Sequence, residues 1–149
     1  MYKKIFKIFS VLAVAALIMV LFAGCGHKIL SYSDLVSNSA KYNNQTVTVE
    51  GYYFEGANVK VLTIQLLTVS GSSDHVPDPD EIWLEGSLPA AVESALYSQT
   101  GPTGYDERFG MIRVTGKYAF GGEYGYQDLY QYQLNISNAI LLNWTPSTA

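Results

Sequence analysis

The sequence predicts a small, mainly β domain: five strands closed into a Greek-key barrel, with one or two short helices. Three observations predict it. Five segments alternate apolar and polar residues with period two. Two of them, Val47-Thr48-Val49-Glu50-Gly51-Tyr52-Tyr53 and Ile112-Arg113-Val114-Thr115-Gly116-Lys117-Tyr118, share the pattern aliphatic-x-Val-x-Gly-x-Tyr. A glycine in mid-strand allows the sharp bend that a small closed barrel requires. Between the third and fourth segments, a Pro-led patch changes to helical spacing. The chain has 149 residues, one domain's worth.

Ahead of the domain lies an address. Met1 to Lys7 is basic, and Ile8 to Ala23 is apolar or small apart from Ser10. That core suits a signal peptide and is short for a membrane span, which needs about 20 residues. Leu21-Phe22-Ala23-Gly24-Cys25 resembles the lipobox of bacterial lipoproteins, and Cys25 is the only cysteine of the chain. The resemblance implies a signal peptide over residues 1–24, a lipidated Cys25, and an anchored position outside the cytoplasm, on the cell membrane or outer envelope. Several acyl chains make such an anchor stable where one holds marginally. Residues 25–31 form a short tether; Gly26 to Ser31 reaches at most about 20 Å when extended. The domain is expected over 32–149.

The elements follow in order. Ser31 can cap a short helix, with Asp34 in its first turn at the positive end of the dipole. Tyr42-Asn43-Asn44 ends it. Gln45 to Phe54 is the first strand, with Val47, Val49, Gly51 and Tyr53 inward. Glu55 to Asn58 is a turn. Val59 to Thr68 is the second strand, with Leu62, Ile64 and Leu66 inward. A polar loop runs from Ser70 to Asp80, and Glu81 to Glu85 is the third strand. Ser87 to Tyr97 reads as a helix, Leu88, Val92, Ala95 and Leu96 lying at helical spacing. Met111 to Phe120 is the fourth strand, and Gly121 to Leu129 a loop. Tyr130 to Leu142 is the fifth, with Tyr130, Tyr132, Leu134 and Ile136 inward.

A Gly-bent strand early, another late, and a helix between strands three and four is the layout of an OB-fold. The stretch Leu35 to Leu142 also resembles the OB-fold domains of small bacterial lipoproteins and exported proteins. The residues that carry the likeness are Lys41 to Gly51, Val114 to Tyr118, and the Gly/Tyr-rich run into Tyr132-Gln133-Leu134. These are structural motifs, and they bring no catalytic residue with them.

Chemistry-bearing constellations are few. There is no Gly-x-Ser-x-Gly elbow, phosphate-binding Gly-Lys-Ser/Thr loop or His-Glu-x-x-His helix. His75 is the sole imidazole of the domain, since His27 lies in the tether. Asp74 to Glu81 gathers oxygen ligands of the kind Ca²⁺ uses, but two prolines and the missing EF-hand spacing favour a solvated loop. No catalytic residue, metal or other cofactor is expected. Removing residues 1–24, with Lys3, Lys4 and Lys7, leaves six basic against 13 acidic residues, a formal net charge of −7. Those six are scattered, so the basic groove that binds nucleic acid is missing.

Aromatic residues remain as candidates. Tyr52, Phe54, Trp83, Tyr124 and Tyr126 are outside the inward parity or in loops, and they form the expected ligand-binding set. OB-folds bind across strands two and three and the loops after strands one and four, here Glu55 to Asn58 and Gly121 to Leu129. The expected function is a non-enzymatic, membrane-tethered binding module for an envelope protein or glycan. The alternatives are a structural subunit of an envelope complex and a weak carboxylate-dependent hydrolase. Aromatic rings that merely plug the barrel end are the rival account of the same residues.

Overall fold

The computed structural model describes residues 28–70, 74–101 and 104–146. The expected signal peptide, Cys25 and His27 lie outside the described residues. The elements are β1 (Ile29–Leu30), α1 (Tyr32–Ser37), α2 (Ser39–Tyr42), β2 (Thr46–Glu55), β3 (Lys60–Thr63), β4 (Leu66–Thr68), β5 (His75–Pro77), β6 (Ile82–Glu85), α3 (Ala90–Glu93), β7 (Tyr97–Thr100), β8 (Asp106–Tyr124) and β9 (Tyr130–Leu141). A 3-10 turn at Tyr126–Asp128 joins the last two strands.

The class is all-β, and five strands close on one another. β2 pairs antiparallel with β3, β3 with β6, β6 parallel with β9, β9 antiparallel with β8, and β8 again with β2. The two echoed motifs are partners in this ring. Val47 faces Gly116, Val49 faces Val114, and Gly51 faces Ile112. Each inward glycine lies where a third strand crosses. A Cβ on Gly51 would sit 2.9 Å from the Leu62 Cγ and the Thr63 carbonyl oxygen of β3. A Cβ on Gly116 would sit 2.9 Å from the Asn135 carbonyl carbon of β9. The pattern therefore marks the two places where the ring turns tightly, and any side chain there would push backbone apart.

Parity holds inside for the first and fourth strands. Val47, Val49, Tyr53, Ile112, Val114 and Tyr118 are buried with Leu62, Ile82, Leu84 and Leu134. Tyr130 and Leu66, expected inward, pack on the outer face instead, Tyr130 beyond the register shift between Phe120 and Tyr124 and Leu66 beyond the end of β3. The first helix breaks into α1 and α2. Ser31 caps α1 by accepting from the Asp34 amide at 3.1 Å. Leu35 and Tyr42 deliver the apolar face to the core, and Tyr118 Oη donates to Ser39 Oγ at 3.2 Å. Outside the ring, β2 and β8 are stitched by charge: Arg113 reaches Glu50 at 2.5 Å and Arg108 reaches Glu55 at 2.5 Å.

Several expectations are corrected. The helix over Ser87 to Tyr97 is one turn, α3; Leu88 and Val92 are buried as expected, but Tyr97 to Thr100 pair with Asp106 to Phe109 as β7. The strand expected over Val59 to Thr68 stops at Thr63. Ile64 is exposed, and Leu66 to Thr68 pair instead with His75 to Pro77. The polar loop thus contains a strand, and His75 is buried. The fourth strand is longer at both ends, so Gly121 to Tyr124 belong to β8 and the loop shrinks to Gly125 to Leu129. Ile29 and Leu30, read as tether, pair parallel with Thr48 and Val49. In β9 a register shift beside Ser137 changes the inward phase, so Ala139 rather than Asn138 is buried.

Candidate functional site

The loop after β2 closes by a hydrogen bond from the Gly56 amide to the Val59 carbonyl, 2.9 Å. The loop after β8 turns at Gly125, φ 70°, followed by Gln127 and Asp128, both at positive φ. Positive φ is costly for residues with a side chain, so this turn is held strained by its surroundings. Gly125 itself lies against Trp83 on β6. A Cβ on Gly125 would be 2.5 Å from the Trp83 ring, so only glycine lets the backbone lie against the indole. The two loops meet over that ring.

Between them is an open hollow of about 430 Å³, lined by Glu55 to Lys60, Trp83, Gly125 and Tyr126. Trp83 packs against Tyr130 with centroids 5.1 Å apart, and its Nε1 donates to Glu85 at 3.2 Å. Tyr126 stands exposed at the lip, its hydroxyl accepting from Gln127 at 3.2 Å. Lys60 donates to the Gly86 carbonyl at 2.6 Å, and Glu55 pairs with Arg108. Both charges therefore have partners, and the hollow offers two aromatic surfaces ringed by backbone and polar groups. Such surfaces suit flat, amphipathic ligands.

Of the five aromatic candidates, the structure brings Trp83 and Tyr126 to the hollow. Phe54 is buried beside it in a second cluster with Val61 and Phe109. Tyr52 lies edge-on to Trp144, centroids 5.2 Å apart. Tyr124 faces Tyr130 across the β8–β9 ladder and does not line the hollow.

Register reveals a feature that single-strand parity could not. Trp83 faces Val61, Val61 faces Phe54, Phe54 faces Phe109, and Phe109 faces Tyr97. One apolar row crosses β6, β3, β2, β8 and β7 on the outside of the ring. Its middle is covered: Leu66 packs there, and the His75 ring stacks on Phe109 at 4.9 Å. Gln99 holds the His75 backbone from both sides, accepting from its amide at 3.0 Å and donating to its carbonyl at 2.8 Å. Both His75 ring nitrogens are buried without a hydrogen-bond partner. The row's two ends are open. One is the Trp83 hollow; the other is a smaller hollow of about 250 Å³ lined by Tyr97, Met111, Leu141 and Trp144 among others.

Elsewhere, Asp80 and Glu81 border a hollow with Tyr130 and Tyr132. Burial first, then Asp78, raises the Glu81 carboxyl above its ordinary range. Among the described residues, no group of three or more His, Cys, Asp or Glu is placed to hold a metal ion, and no helix is long and apolar enough to cross a membrane. Sequence reading missed Val59 and Lys60 as lining residues, and missed Tyr97, His75 and Trp144 as an aromatic group. Only the Tyr97 β-pairing would have exposed that group. No protein family, curated protein or solved structure matches the chain.

Proposed function

We propose that the chain is a non-enzymatic binding module of the bacterial cell envelope, lipid-anchored at Cys25, with an OB-fold-like barrel that takes a glycan on the Trp83–Tyr126 hollow. The fold reading is supported by the ring order, the parallel pairing of β6 with β9, and α3 between the third and fourth ring strands. The observation that carries the function is the meeting of both loops over Trp83, with Tyr126 exposed at the lip. A sugar ring presents one apolar face and a polar edge, which matches an indole floor and a polar rim. Nucleic acid is disfavoured, because Arg108 and Arg113 are paired with carboxylates and Lys60 with a carbonyl.

The test uses the full chain in detergent and soluble peptidoglycan fragments as the probe. Binding that weakens about tenfold or more in Tyr126→Ala supports the reading, since exposed aromatic anchors carry that share of an interface. Binding indifferent to Tyr126→Ala and to Trp83→Phe contradicts it.

A further inference from the structure

We infer that the glycan taken on the Trp83–Tyr126 hollow carries a free amino group, whose ammonium is received by Glu81 in a neighbouring hollow; this rests on the glycan reading above. The second hollow, about 410 Å³, is lined by Asp80, Glu81, Leu129, Tyr130 and Tyr132 among others. It shares a wall with the first. Trp83 lines one hollow and Tyr130 the other, and their rings pack with centroids 5.1 Å apart. The Gly125 backbone crosses that pair: a Cβ there would be 2.5 Å from the Trp83 ring and 2.7 Å from Tyr130 Cδ2. Glu81 precedes Trp83 by two residues, a Cα separation of at most about 7 Å. A saccharide lying on the indole therefore has this carboxylate within reach of its own or its next ring.

The carboxylate lacks a counter-charge. Glu81 is half-buried, and burial first, then Asp78, raises its carboxyl above the ordinary range. Among the described residues the ion pairs are Arg108 with Glu55 and Arg113 with Glu50. Lys60 donates to the Gly86 carbonyl, Lys28 and Lys41 act on Asp34, and Lys117 on β8 sits opposite Thr46. Among the described residues, no basic side chain lines the second hollow. Desolvating a carboxylate without a partner is costly, and a bound cation offsets that cost.

The walls select the kind of cation. Ca²⁺ takes about six to eight oxygen ligands, and among the described residues no group of three or more His, Cys, Asp or Glu is placed to hold a metal ion. An ammonium needs less, a carboxylate to donate to and the face of an aromatic ring. Tyr130 and Tyr132 supply rings at the hollow. The Glu81 charge also acts on the Tyr130 phenol, which burial first, then Glu81, raises above its ordinary value. An acetylated amine is neutral and would leave Glu81 uncompensated.

The full chain in detergent is titrated with a glucosamine oligomer, at a pH where its amines are charged, and with the N-acetylglucosamine oligomer of the same length. The amine form should bind about tenfold or more tighter, the share of a charge-assisted hydrogen bond. Glu81→Gln should remove that preference. Glu93→Gln, on α3 beyond the other end of β6, should keep it, which separates a placed carboxylate from the general attraction of an acidic protein. Equal binding of the two oligomers, binding of neither, or a preference kept in Glu81→Gln overturns this inference. In each of those cases the glycan reading stands if peptidoglycan fragments still bind through Tyr126, and falls if they do not.

Discussion

The covered and open parts of the outer apolar row are built from similar residues and do different work. Phe54 and Phe109 are buried under Leu66 and His75, while Trp83 and Tyr126 keep surface exposed around a hollow. The difference is made by a hairpin, β4–β5, that belongs to neither ring nor sheet edge. Where it lies, aromatic side chains are structural; where it ends, they are available. Whether a ring of this row is buried or left at the surface is thus decided by whether the hairpin lies over it.

The largest expected effect breaks the covered part. Phe54→Ala should lower the unfolding free energy by about 3–5 kcal/mol, the usual cost of emptying a buried aromatic site, as read by denaturant titration. A loss below about 1 kcal/mol would mean the row is not packed as described. A smaller effect of opposite sign is expected beneath the hairpin. His75→Phe keeps a ring on Phe109 and removes two unpartnered nitrogens, so stability should rise by about 1–3 kcal/mol. Tyr126→Ala, at the open part, should change stability by no more than about 0.5 kcal/mol while weakening ligand binding.

Alkaline titration sharpens the contrast between interior and surface phenols. Burial raises Tyr32, Tyr53 and Tyr118 above the ordinary tyrosine value, with nearby Asp80 and Glu81 adding to Tyr32 and Glu55 to Tyr53. A raised folded-state value means these groups favour folding below the unfolded value near pH 10, and that contribution fades as the pH rises beyond it. Their phenolate absorbance should therefore appear together with loss of near-ultraviolet circular dichroism. Ionisation of all tyrosines before any such loss would contradict their burial.

What the sequence made legible follows the same division. The interior was readable because period two is a local signal: Val47, Val49 and Tyr53, and Ile112, Val114 and Tyr118, are buried as their parity requires. The shared Gly motif was readable as a bend, though not as a pairing between its own two copies. The helix over Ser87 to Tyr97 was overextended, because Leu88 and Val92 fit helical spacing while the β7 pairing of Tyr97 depends on Phe109, twelve residues on. His75 read as solvated because its neighbours in sequence are polar; its neighbours in space are Phe109 and Trp144. In the candidate site, Trp83 was legible from its outward place on the third strand and Tyr126 from its loop. Phe54 was drawn away by its cross-strand partner Phe109 and Tyr52 by Trp144, contacts that single-strand parity cannot see.

The location of the site is tested most directly by a hydrogen-exchange footprint of the full chain with and without bound peptidoglycan fragments. The account predicts slowed exchange at Glu55 to Lys60 and Gly125 to Leu129, with the hairpin at Leu66 to Thr68 and His75 to Pro77 unchanged. Protection absent from both loops, or confined to the Tyr97–Trp144 hollow, would contradict it.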